Sequence, residues 1–213
     1  MRRVRPHGRR IEAAGLDPEA YEAWFASPLG RLAGRAEKRL IAGFMAAGPG
    51  GLLLDGGCGT GHFADVLGAG GARIVGLDGS LEALGYARAK ARIRDVVRGR
   101  VECLPFLPGA FDQVVLLTVL EFLGDPRPAL AEAYRVLKPS GRLVVGWLER
   151  RSPWGAYRRF RGLLGHSSWR RTRFFSRAEI EALLARAGFE GLRTGSALLG
   201  SFGLVSGRKP GPA

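Results

Sequence analysis

The run LLLDGGCGTGHF at positions 52–63 constrains the fold of this 213-residue chain more than any other feature. Three consecutive leucines make a short, wholly apolar strand of the kind that is buried on both faces in parallel sheets. Asp55 closes the strand, and Gly57, Gly59 and Gly61 then let the backbone pass close beneath a ligand before a helix begins. A strand that ends in a glycine loop opening a helix belongs in an α/β sheet, whose ligands bind beyond the carboxyl ends of the strands.

The rest of the chain keeps that rhythm. Short apolar segments at 73–77, 100–103, 111–118 and 141–148 read as strands, and amphipathic segments at 80–96 and 127–137 read as helices between them. Such alternation predicts an α/β fold, a doubly wound and mostly parallel sheet with helices on both faces and right-handed crossovers. Upstream, Asp17-Pro18-Glu19 supplies a cap, a first-turn proline and a first-turn acid for a short helix through Tyr21, Trp24 and Phe25, which Ser27-Pro28 should stop. A second helix is expected over 31–47. Downstream, Ser176 caps a helix over 177–187, and alternating segments at 192–198 and 202–206 predict an antiparallel C-terminal hairpin that brings the sheet to seven strands. The expected organisation is a basic tail at 1–10 and one domain over 11–213, with 149–176 forming a cap on the substrate side.

The loop chemistry narrows the ligand. A dinucleotide site spaces its glycines G-x-G-x-x-G and seats a pyrophosphate on the helix N-terminus. Here the spacing is G-x-G-x-G and Asp55 precedes it. A carboxylate at that rim repels a pyrophosphate but suits a ligand carrying an ammonium or a sulfonium. Asp78 ends the next strand, in IVGLDGS at 74–80, about twenty residues beyond the loop, where an acid can accept hydrogen bonds from both ribose hydroxyls. Taken alone, Asp78 would equally serve as a helix cap; with the loop, it points to a cationic nucleoside.

These motifs, with VECLPFLPGAFDQVVLLTVLEFLGDP at 101–126, EAYRVLKPSGRLVVG at 132–146 and RFFSRAEIEALLARAGFE at 173–190, resemble the class I S-adenosylmethionine-dependent methyltransferases, within them the type 11, ubiquinone/menaquinone-biosynthesis-like group. The resemblance covers most of the chain from Tyr21 onward. It implies the Rossmann-like methyltransferase fold and S-adenosylmethionine as cofactor, leaving S-adenosylhomocysteine as product. Residue by residue, it implies that Asp55, Gly57, Gly59 and Gly61 hold the methionine moiety, Asp78 the ribose, and Gly79 and Ser80 flank the adenine. Val101 and Glu102 would present backbone groups to the adenine edge, Leu117 and Thr118 would lie under the sulfonium, and Tyr21 matches a tyrosine that often closes over the cofactor. One departure stands out: where the family often has an acid accepting from the adenine amine, this chain has Arg100.

Methyl transfer from a sulfonium is an in-line displacement on an already activated electrophile, so alignment and exclusion of water come first and a dedicated base is optional. His166, Glu121 and His62 are the candidate bases. The acceptor side is expected in the segment after the fifth strand, where Arg150, Arg151, Arg158, Arg159, Arg161, Arg170, Arg171 and Arg173 occur with no acid between Glu149 and Glu179. Trp154, Tyr157, His166, Trp169 and Arg170 there are the substrate-side candidates. A small-molecule substrate is the leading expectation, from the compact cap and the lack of a separate RNA-binding domain, and the net charge of +14 from 33 basic and 19 acidic residues leaves room for it to be anionic. RNA is the alternative partner, stacked and neutralised by the Arg/Trp segment. It is weakened because Thr118-Val119-Leu120-Glu121 lacks the Asn/Asp-Pro-Pro-aromatic motif of many base-amine methyltransferases. A non-catalytic S-adenosylmethionine-binding module is a third possibility, from outside the enzymes. Cys58 and Cys103 fit neither a zinc site nor a disulfide framework and read as two small reduced residues. No metal site, transmembrane segment or secretory signal is expected, and the chain is expected in the cytoplasm.

Overall fold

The computed structural model describes residues 17–152 and 172–211. Seven strands form one sheet: β1 (Leu52–Gly56), β2 (Arg73–Asp78), β3 (Asp95–Arg98), β4 (Phe111–Leu117), β5 (Leu137–Leu148), β6 (Glu190–Ala197) and β7 (Phe202–Arg208). Their order is β3-β2-β1-β4-β5-β7-β6; β1 to β5 are parallel to one another, and β7 runs antiparallel to both β5 and β6. The doubly wound, mostly parallel sheet with a closing antiparallel hairpin is therefore as expected. The strand order reverses between β1 and β4, where sheets of this kind leave a crevice.

Helices cover both faces. On one, α1 (Pro18–Ala26) and α2 (Pro28–Ala42) pack with α3 (Ala64–Leu67), and Phe25, Ile41, Phe44, Leu53, Val115, Val144 and Leu204 form the core beneath them. On the other, α5 (Arg127–Val136) and α6 (Arg177–Arg186) cover Leu54, Val114, Leu116, Val145, Trp147 and Val205. Helix α4 (Leu81–Ala89) follows β2 and packs against β2 and β3. Capping explains the sharp boundaries. Asp17 accepts from Glu19 N at 2.9 Å, Ser27 both ends α1 and caps α2, and Ser176 with Glu179 forms a reciprocal capping box on α6.

Three expected elements shift. The fourth helix does not run to Val96: it ends at Ala89, the backbone turns left-handed at Ala91 (φ 52°), and 95–98 becomes β3 by pairing in parallel with β2. Val96 and Val97 are β-branched, and pairing with an adjacent strand outweighs continuation of the helix. The segment 100–103 expected as that strand is instead a tight turn closed by one bridge between Arg100 and Cys103. The second helix starts at Pro28, three residues earlier than expected, and ends at Ala42. Cys58 is buried and Cys103 is exposed on the turn; both are free thiols.

Candidate functional site

A cavity of about 580 Å³ opens at the carboxyl ends of β1, β2 and β4, within the size range of small-molecule and cofactor sites. The glycine loop forms its floor. Gly57 (φ 75°) and Gly61 (φ 73°) are left-handed, which favours glycine at both, and Gly57 has in addition no room for a side chain. A Cβ on Gly57 would lie 2.5 Å from Val119 Cγ2, and one on Gly61 3.1 Å from Arg92 Cβ. Gly57 N and Cys58 N both donate to Leu77 O, at 2.6 and 3.0 Å, fastening the loop to the end of β2. Asp78 completes the fastening: Oδ2 accepts from Gly59 N at 2.9 Å and Oδ1 from Ser80 N at 2.8 Å. One carboxylate thus fixes loop, strand end and helix start, with its remaining lone pairs at the cavity rim.

Asp55 also lines the cavity and is only 4% exposed. Burial, reinforced by the nearby negative charge of Asp78, pushes its carboxyl up to about 7. Such a group is ready for a cation and poorly disposed to a phosphate. Thr118 leaves β4 in a left-handed conformation (φ 52°), unusual for a β-branched residue; its N–H donates to Gly146 O at 2.8 Å and its Oγ1 to Leu117 O at 2.8 Å. The turn drives Val119 against Gly57, so strand end and loop specify each other.

Across the opening, α1 brings Pro18 and Tyr21 to the cavity. Tyr21 packs edge-on against Phe25, and burial together with the acids Glu37, Glu22 and Asp55 raises its phenol well above the usual range, so it stays neutral. Glu22 anchors this helix: it accepts two hydrogen bonds from Arg92, each at 2.7 Å, and one from Thr60 Oγ1 at 2.5 Å. Its carboxyl is held low by those hydrogen bonds, which overcome the opposing cost of burial. His62 stacks on Phe25 with ring centroids 3.7 Å apart, and its Nδ1 is 4.0 Å from Glu22 Oε1. Burial, with Lys38 and Arg92 nearby, brings the imidazole down to about 4 against the pull of Glu22, so it is neutral at pH 7 and the pair is not ionic.

The methyltransferase-domain family of type 11 matches residues 54–145, the stretch from β1 to β5 that builds this cavity. Over 181 residues, 83% of its length, the chain is 39% identical to an uncharacterised protein of Mycobacterium tuberculosis and covers 60% of it. It is 36% identical over 111 residues to the demethylmenaquinone methyltransferase of Renibacterium salmoninarum, covering 52% of this chain and 47% of that enzyme. In three dimensions it matches an S-adenosylmethionine-dependent methyltransferase of Thermotoga maritima, described as a possible histamine N-methyltransferase, with a TM-score of 0.78 and 29% identity over 90% of this chain and 95% of that one.

Residues 54–145 form a type 11 methyltransferase domain, within the fold of the S-adenosylmethionine-dependent methyltransferases. The chain spans 60% of the length of the Mycobacterium relative. Of the positions that the family resemblance singles out, Tyr21, Asp55, Gly57, Gly59, Asp78, Gly79, Ser80, Val101, Glu102, Leu117 and Thr118 all line the one cavity. Gly61 does not; it is buried against Arg92 and Ile93, where it lets the loop pack. Arg100, which replaces the family's frequent acid, lies at the rim and pairs with Glu102 at 2.6 Å. Among the candidate bases, His62 lines the cavity but is stacked, and Glu121 is fully buried away from it, with Oε1 accepting from Leu148 N at 2.7 Å. His166, Trp154, Tyr157, Trp169 and Arg170 lie outside the described residues, as does the basic tail. Sequence reasoning missed Glu22, Thr60 and Arg92, whose partnership joins segments 38 and 70 residues apart. It also missed Phe122, Leu123 and Gly124, which line the cavity at the end of the short 3-10 turn Leu120–Phe122 and just beyond it, and had only their place in a quoted motif to mark them.

Proposed function

We propose that the chain transfers a methyl group from S-adenosylmethionine to a small-molecule acceptor that enters at the carboxyl edge of the sheet. The observation that carries this reading is the continuity of one cavity from the acidic rim of Asp55 and Asp78, past Thr118, to an apolar wall of Val119, Phe122 and Leu123. The donor set fits the cofactor. A buried carboxylate with a raised pKa gains from a cationic partner, and Asp78 keeps acceptor capacity for ribose hydroxyls after its two backbone bonds. In this reading Asp55 faces the methionine ammonium and Gly57 and Gly59 underlie that moiety. Gly79 and Ser80 flank the adenine, and backbone groups of Val101 and Glu102 meet its edge. Leu117 and Thr118 lie under the sulfonium, and Tyr21 covers it.

S-adenosylmethionine supplies an electrophilic methyl group that needs no further activation. The residues of this chain then align and desolvate: the apolar wall excludes water, and the neutral Tyr21 phenol adds no competing nucleophilic charge. Glu121 is given no part in this reading, being fully buried and bonded to Leu148 N. The excess positive charge favours an anionic acceptor. The test uses S-adenosylmethionine with a tritiated methyl group, supplied with separate small-molecule and RNA fractions of a cell extract. Label is expected in the small-molecule fraction and is expected to disappear with Asp78→Ala. Label in RNA alone would replace the small acceptor by RNA.

A further inference from the structure

Far from the cavity, three arginines converge at the amino edge of the sheet. Arg142 on β5 stands directly opposite Arg208 on β7, and Arg193 on β6 stands opposite Ser206, two residues before Arg208. Directly opposed residues in an antiparallel pair share a face, and so do residues two apart on one strand. All three side chains are therefore on the face covered by α2. Arg193 is held there by a hydrogen bond to Gly43 O at the end of that helix, with its guanidinium 4.1 Å from the centre of the Phe44 ring. Arg142 stands between Arg208 and Gln113, and the Gln113 side chain is occupied with Ala46 N, Ala47 N and Phe44 O. Glu190 is the acid nearest in register, opposite Arg208, yet among the described residues no carboxylate comes within 4.0 Å of any of the three guanidinium groups.

Like charges placed directly opposite on one face disfavour a sheet unless something offsets them. Burial, and then the proximity of Arg193 and Arg208, hold the Arg142 guanidinium below its ordinary pKa. Gly146, in register with the cavity-lining Leu117, lies four residues along β5 from Arg142, roughly 13 Å at about 3.3 Å per residue, so the cluster sits at the opposite edge of the sheet from the cavity. We propose that Arg142, Arg193 and Arg208 form a second binding site, for a compact, multiply charged phosphoryl anion of the pyrophosphate type. Guanidinium groups match phosphoryl oxygens bidentately and remain charged throughout. Three of them on adjacent strands suit one or two neighbouring phosphoryl groups, whereas a nucleic acid backbone needs a longer basic track.

Calorimetric titration of the full chain with sodium pyrophosphate and with inorganic phosphate, at constant ionic strength set with chloride, tests the site. Pyrophosphate is expected to bind stoichiometrically and more tightly than phosphate. Arg142→Gln/Arg208→Gln is expected to weaken it at least tenfold, whereas Arg88→Gln/Arg186→Gln, which removes the same charge from exposed helix positions, leaves it unchanged. Arg193→Gln provides a second reading at an exposed position, and the melting temperature of each variant reports its fold. Equal weakening by both double variants, or no binding above chloride competition, would overturn the proposal. Tighter binding of a single-stranded RNA oligonucleotide through the same arginines would replace the compact anion with a nucleic acid backbone.

Discussion

Asp55 couples stability to ligand binding through one proton. Its carboxyl titrates near 7 in the folded chain and near 3.8 when unfolded, so burial of the charged form costs nothing below about 4, increasingly more from 4 to 7, and its full amount above 7. Asp55→Asn should therefore stabilise the unliganded protein at pH 8, by about 2 kcal/mol on an order-of-magnitude linkage argument, with the gain fading as the pH falls toward 4. Denaturant melts of both proteins at pH 8 and pH 5 check this. The same proton must leave before a cationic ligand is held, so S-adenosylmethionine should bind wild type progressively less well below pH 7, by up to about tenfold per unit. The Asn variant should bind weakly at every pH. Sequence alone singled out the acid and led to the expectation of a cationic ligand. It could not supply the raised pKa, which depends on burial and on the approach of Asp78 from another strand.

Among the elements, the alternation of apolar strands and amphipathic helices was legible because each has its own period, and the caps Asp17 and Ser176 were legible because their side chains act within three residues, whereas Ser27 was read only as the stop of α1 and not as the cap of α2. The third strand was not, since 95–98 is defined by its partner β2 rather than by its own pattern. The Glu22–Arg92 pairing was equally hidden, because neither residue has a local signature and only the fold brings α1 over the glycine loop. The hairpin tip shows a local conflict that its sequence does disclose once the turn is known. Ser201 N donates to Leu198 O at 3.0 Å, and the two central residues, Leu199 (φ 53°) and Gly200 (φ 79°), are both left-handed, a pattern that favours Asn-Gly. Leu199 is 95% exposed and gains nothing from packing. Leu199→Asn should stabilise the protein by about 1 kcal/mol, the order of the cost of a left-handed non-glycine residue, measured as a shift of the denaturant midpoint with an unchanged slope.

For the whole molecule, the cofactor cavity lies at the carboxyl edge of one sheet and the proposed anion site at its amino edge, in a chain of net charge +14. The central claim is that the cavity is an S-adenosylmethionine site held by Asp78. Thermal-shift titration of wild type and Asp78→Ala with S-adenosylmethionine, S-adenosylhomocysteine and NAD tests it most directly. At about 100 times Kd, either adenosyl ligand should add roughly 2.7 kcal/mol to wild type. The account predicts that both adenosyl compounds raise the wild-type melting temperature, that Asp78→Ala loses most of that shift, and that NAD has no effect. Stabilisation by NAD, or an adenosyl shift undiminished in Asp78→Ala, would contradict it.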